Sequence, residues 1–141
     1  MAITVDRTDP GVRPLVDAFL LAAMVPPFLG AALSDYAYTA SNEVQWINFA
    51  SWLIVGGLVF GGIALACALV ELAGNRRAGR IAIRVLLLLA TWVLGFVNAL
   101  VHARDAWASM PAGFVLSVVV TVLACVAAWL GFSRLRAGGA A

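Results

Sequence analysis

The sequence predicts an all-α integral membrane protein, four transmembrane helices in an up-down-up-down bundle with both ends in the cytoplasm. Three observations carry this reading. Of 141 residues, 64% are hydrophobic and 11% charged, more apolar surface than a soluble domain of this size can hide in one core. Four apolar stretches, 15–33, 47–70, 85–101 and 112–132, each come near the roughly 20 residues that a helix needs to cross a bilayer. All nine basic residues are arginine, and they are distributed unevenly among the tails and links.

The first stretch is interrupted by Pro26 and Pro27, which remove two backbone donors and are expected to kink or break the helix. Breaks of this kind mark binding sites in some transporters, but no inverted repeat is visible, so a structural kink is the simpler expectation. Gly30-Ala31-Ala32 also resembles a signal-peptide cleavage site. Against that reading, Asp6, Asp9 and Asp17 offset the positive charge that a leader carries, and the prolines interrupt its apolar segment.

In the second stretch Gly57 and Gly61 stand four apart, continuing a small-residue face that includes Ala50, Ala64 and Ala68. Such a face lets another helix approach closely, and Gly62, off that face, is expected to be neutral. The third stretch opens on Val85 and four leucines, apolar all round, which excludes the alternation of a membrane strand. The fourth carries Ser117, Thr121, Cys125 and Ala128 on one line, a helix-packing stripe rather than a pore lining. Cys67 and Cys125 fall inside apolar runs with no second ligand at metal spacing, so they read as buried small hydrophobes.

Residues 1–14 and 134–141 then read as cytoplasmic tails and 15–133 as a single four-helix domain. Arg7, Arg13, Arg76, Arg77, Arg80, Arg84, Arg134 and Arg136 fall on one side and Arg104 alone on the other, so the positive-inside rule sets the orientation. A net charge of +2 is too small and too scattered for a nucleic-acid surface.

Polar variety gathers in the two non-cytoplasmic links. The first offers Asp35, Glu43 and Trp46; the second offers His102, Arg104, Asp105 and Trp107. Asn98, His102 and Asp105 are spaced four and three and share one face if the third helix continues outward. Arg104 is expected to pair with Asp35 or Glu43 across the gap. Interfacial anchoring by tryptophans and headgroup pairing of charges account for these residues in bland terms. The sharper reading, prompted by a polar Asn98 within an apolar run, is that the links form one docking surface or ligand pocket, a periplasmic patch of Asp35, Trp46, Asn98, His102, Arg104, Asp105 and Trp107. No serine with a positioned base and no recognisable carboxylate pair is present, so no catalytic residue is assigned. One histidine, with Met24 or Met110 as the only conceivable second axial ligand, makes a poor haem site.

The segment from Asn98 through His102-Ala-Arg-Asp-Ala-Trp107 and Pro111 to Ser117, followed by Trp129-Leu-Gly-Phe132, resembles the last two helices of bacterial membrane proteins grouped as domain of unknown function 2231. Val25-Pro-Pro, Ser34-Asp-Tyr-Ala-Tyr38 and Ser51-Trp-Leu-Ile-Val-Gly-Gly57 resemble the family's first half. The resemblance matches Asp35, Trp52, Asn98, His102, Arg104, Asp105, Trp107 and Pro111, without assigning them roles. Val12-Arg13-Pro14 and Ala82-Ile83-Arg84 stand where relatives tend to carry further histidines, which weakens any metal or haem role. The resemblance brings no established activity; genes neighbouring those of some relatives imply a membrane partner for a periplasmic redox enzyme.

The expectation is therefore a non-enzymatic subunit or anchor in the bacterial inner membrane, without cofactor, docking a membrane or periplasmic protein. A b-haem electron-transfer protein or small-molecule carrier is the alternative.

Overall fold

A computed structural model describes residues 12–74 and 79–138, the last five of these by backbone alone. Arg7, Arg76 and Arg77, three of the arginines that set the expected orientation, lie outside the described residues. The fold is all-α. Four long helices, α1 (Val12–Ser41), α2 (Val44–Gly74), α3 (Gly79–His102) and α5 (Ala112–Gly138), are joined by short links, the last of which holds the single-turn α4 (Ala106–Ser109). All four long helices are long and apolar enough to cross a membrane. They form a ring in which α1 packs on α2, α2 on α3, α3 on α5 and α5 back on α1.

Many large apolar side chains face outward, and small residues fill much of the interior around a few large ones such as Phe28, Met24 and Leu88. Phe19, Trp52, Leu86 and Trp129 are exposed, whereas Ala31, Ala50, Ala64, Ala68 and Ala124 are fully buried. Lipid is as good a solvent for leucine as a protein core is, so close packing rather than apolarity decides which residues face inward. Cys67 and Cys125 follow the outward rule and are exposed, not buried as expected from their apolar surroundings.

Helix α1 outlasts its apolar stretch by eight residues, to Ser41. The hydropathy falls at Ser34 and Asp35, yet both are buried, and the Ser34 hydroxyl donates to the Gly30 carbonyl at 2.8 Å. The link from α1 to α2 shrinks to Asn42 and Glu43. Asn42 makes the turn at φ 58°, a left-handed conformation that asparagine tolerates better than most residues. Nor is α1 interrupted at Pro26 and Pro27, which lie inside a continuous helix. Met24 and Phe28, buried on either side of them, hold it against α2.

Gly57 and Gly61 do line the α1–α2 contact, but side chains fill it rather than a second backbone. The Phe28 ring lies over Gly57, where an added Cβ would come within 2.6 Å of it, and Gly95 of α3 flanks the ring on another side. A Cβ added at Gly61 would lie an ordinary 3.6 Å from the Met24 sulfur. Gly62 is not neutral ground. The Trp92 indole donates to the Leu58 carbonyl at 3.2 Å, and a Cβ on Gly62 would stand 3.1 Å from that nitrogen.

Two polar ties cross the ring from α1 to α3. Arg84 donates to Asp17 at 2.7 Å near one end, and His102 meets Asp35 at 2.8 Å near the other. Each tie spans the same 67 residues of sequence. Along either helix the two stand 18 residues apart, five turns of 3.6 residues and about 27 Å, close to the hydrocarbon thickness of a bilayer.

Candidate functional site

At the His102 end, four polar side chains from three helices close on one another. Asp35 comes from α1, Asn98 and His102 from successive turns of α3, and Ser117 from α5; all four are at most 5% exposed. A spacing of four places Asn98 and His102 on one helix face, and that face turns inward. Gly113 leaves room for the imidazole, since a Cβ there would lie 2.8 Å from His102 Cε1.

The hydrogen bonds make Asp35 the hub. Ser117 Oγ donates to Asp35 Oδ2 at 2.6 Å, and Asn98 Nδ2 donates to Ser117 Oγ at 2.8 Å. His102 Nδ1 faces the Asn98 backbone carbonyl at 3.0 Å, an oxygen that only accepts, so Nδ1 carries a hydrogen. His102 Nε2 and Asp35 Oδ1 then share one proton over 2.8 Å. Whichever atom holds it, the pair is neutral as a unit, imidazolium with carboxylate or imidazole with carboxylic acid. That is how an acid and a base remain in a low-dielectric interior without an uncompensated charge. One acceptor, Asn98 Oδ1, is buried with no partner.

This arrangement differs from the nucleophilic constellation it superficially resembles. In a Ser-His-acid triad the imidazole stands between the hydroxyl and the carboxylate and removes the hydroxyl's proton. Here the carboxylate stands in the middle and Ser117 bonds to it, so no base activates the hydroxyl. Haem ligation fits no better, because both ring nitrogens of His102 are occupied.

The residues expected to form one patch thus divide into two groups. Asp35, Asn98 and His102 lie inside the bundle. Trp46, Arg104, Asp105 and Trp107 lie on the surface, with Trp107 89% exposed and the Trp46 ring against Phe49 at 6.0 Å. The expected Arg104 pairing with Asp35 or Glu43 is not formed. Both Asp35 oxygens are taken up by His102 and Ser117, and among the described residues no acid lies within ion-pair distance of Arg104.

Ser117 and Thr121, expected as packing residues, are both buried. Ser117 belongs to the cluster, and Thr121 bonds back to its carbonyl at 2.7 Å. Asp17 and Arg84 were legible only as charges beside apolar stretches. The signal that would have joined them is their 67-residue separation, shared with Asp35 and His102.

Four apolar spanning helices around a buried acid, imidazole, hydroxyl and amide define a multi-pass membrane protein with an ionisable pair inside its bundle. The chain belongs to the family described as predicted membrane protein, DUF2231, whose model matches residues 16–136. That span covers every residue of the cluster and both ties. No curated protein matches the chain, and no solved structure does so.

Proposed function

We propose that the protein is a non-enzymatic membrane subunit or anchor of the bacterial inner membrane, which docks a partner protein through its periplasmic end. The observation that supports this is the pairing of a pinned base with an unpaired surface. Beneath the α3–α5 link the Asp35 cluster ties three helices together, and above it Arg104, Asp105 and Trp107 are exposed on a short segment. That segment is itself held by Ala108 and Ser109 backbone bonds to the Asp105 carbonyl and by the buried Ser109 hydroxyl, which donates to the Ala106 carbonyl. A tryptophan and an unpaired arginine on a held segment are what an interface hot spot requires, since little ordering entropy is lost on docking. A periplasmic redox enzyme is the partner class suggested by the family resemblance.

The test is a photo-crosslinking residue at position 107 in native membranes. A discrete protein adduct that weakens severalfold in the Arg104→Ala background is expected, with melting of the purified variant unchanged, because an exposed unpaired arginine contributes little to stability. Adducts with lipid alone would identify Trp107 as an interfacial anchor and overturn the reading.

The orientation has its own test. In a background without Cys67 and Cys125, a cysteine at exposed Asn42 is expected to react with impermeant reagents from the periplasmic face only. Labelling from the cytoplasmic face alone would reverse the assignment.

A further inference from the structure

At the opposite end of the bundle Arg84 is only partly satisfied. Its side chain is 12% exposed, and Nη1 alone serves both acids, Asp17 at 2.7 Å and Glu71 at 3.2 Å. Nε and Nη2 are buried without any acceptor. These two nitrogens are neighbours on one edge of the guanidinium, the edge that grips two oxygens of a carboxylate or phosphate side by side. Leaving both donors unpaired in an apolar setting is unfavourable.

Arg84 also lines a cleft of about 280 Å³ between α3 and α5, with Arg80 and Ser133 as its other polar residues and Leu87, Ala127 and Leu130 among its apolar ones. Arg84 lies five residues into α3, between one and two turns from its end, at the depth where headgroup gives way to hydrocarbon.

We propose that this cleft is a phospholipid site: the phosphodiester oxygens take the Nε and Nη2 edge of Arg84, and an acyl chain lies along Leu87, Ala127 and Leu130. Engaging the phosphate requires the guanidinium, whose Nε and Nη2 are buried, to rotate toward the cleft that Arg84 lines. A free phosphate ion offers the same oxygens but makes no use of the apolar walls, which is why a lipid is the favoured source.

The experiment is native mass spectrometry of the delipidated full chain, titrated with phosphatidylglycerol or with diacylglycerol of the same acyl chains. Phosphatidylglycerol is expected to bind about tenfold more tightly, a difference of about 1.4 kcal/mol. Millimolar inorganic phosphate is expected not to displace it. Arg84→Lys keeps a charge for Asp17 and Glu71 but lacks the planar two-donor edge, and should shrink the preference to about twofold. Equal binding of the two lipids by the parent protein overturns the proposal without recourse to any variant. Displacement by inorganic phosphate, or an unchanged preference in a folded Arg84→Lys protein, overturns it as well.

Discussion

Asp35→Leu is expected to destabilise the bundle by about 3–5 kcal/mol, the usual cost of removing one member of a buried ionic pair. The loss exceeds that of a hydrogen bond. Individual side-chain bonds within membrane proteins average about 0.6 kcal/mol and reach about 1.7, so Ser117→Ala should fall in that range. Asp35→Leu instead leaves His102 Nε2 without a partner and removes the acceptor of the Ser117 hydroxyl at once. Asp35→Asn separates the two effects. Its amide oxygen can accept from Ser117 and its amide nitrogen can donate to a neutral His102, so a loss of about 1–2 kcal/mol is expected. Thermal melting in detergent, followed by helical circular dichroism, checks the order Leu, then Asn, then the Ser117 variant. If Asp35→Leu melts with the parent protein, the cluster does not hold the helices together.

Gly57→Ala is expected to cost about 1–3 kcal/mol, the range for overpacking a filled interior. The added methyl would meet the Phe28 ring at 2.6 Å, and the ring, 2% exposed, has no free space into which to swing. Gly61→Ala is the comparison, because its methyl would make only ordinary contacts, with the Met24 sulfur at 3.6 Å and Trp92 Cδ1 at 4.0 Å. Alanine's helix preference over glycine, about 1 kcal/mol, should leave that variant neutral or slightly stabilised. Phe28→Leu should recover part of the loss in a Gly57→Ala background. Identical melting of the two glycine variants would mean that the ring does not fix the α1–α2 distance.

The four helices were legible because a spanning segment needs a length of apolar chain that little else in this sequence could use. Their ends were less so. Ser34, Asp35 and Tyr38 lower the hydropathy where α1 continues; Ser34 bonds back to the Gly30 carbonyl of its own helix, and only the partners supplied by α3 and α5 explain why Asp35 is buried there. The same limit applied to the cluster. Spacing placed Asn98 and His102 on one face, but in a helix that is apolar on every side nothing local tells which face looks inward. They were therefore read with Arg104, Asp105 and Trp107 as surface. Ser117 was assigned to packing because a serine among valines looks like a small residue until its acceptor is known. Arg84 was counted toward orientation by the charge it carries. Its role inside the bundle depends on Glu71, across the α2–α3 link, and on Asp17, 67 residues away.

The constant separation of 67 residues has a geometric consequence. Shifted by that amount, α1–α2 falls on α3–α5, and the inward positions coincide: Ala18, Leu21, Met24, Phe28, Ala31 and Asp35 correspond to Val85, Leu88, Thr91, Gly95, Asn98 and His102, all of them buried. This is the correspondence that two hairpins running the same way about a shared twofold axis would show, and Asp17, Phe28 and Asp35 each meet the residue 67 positions on. In a dimer of identical hairpins the axis would set carboxylate against carboxylate and ring against ring. Joined in one polypeptide the halves can differ, so Asp17 faces Arg84, Phe28 faces Gly95 and Asp35 faces His102. The rest of the cluster is one-sided, since Asn98 and Ser117 correspond to Ala31 and Ala50, both fully buried. A single chain can carry one polar centre where a symmetric pair would carry two or none.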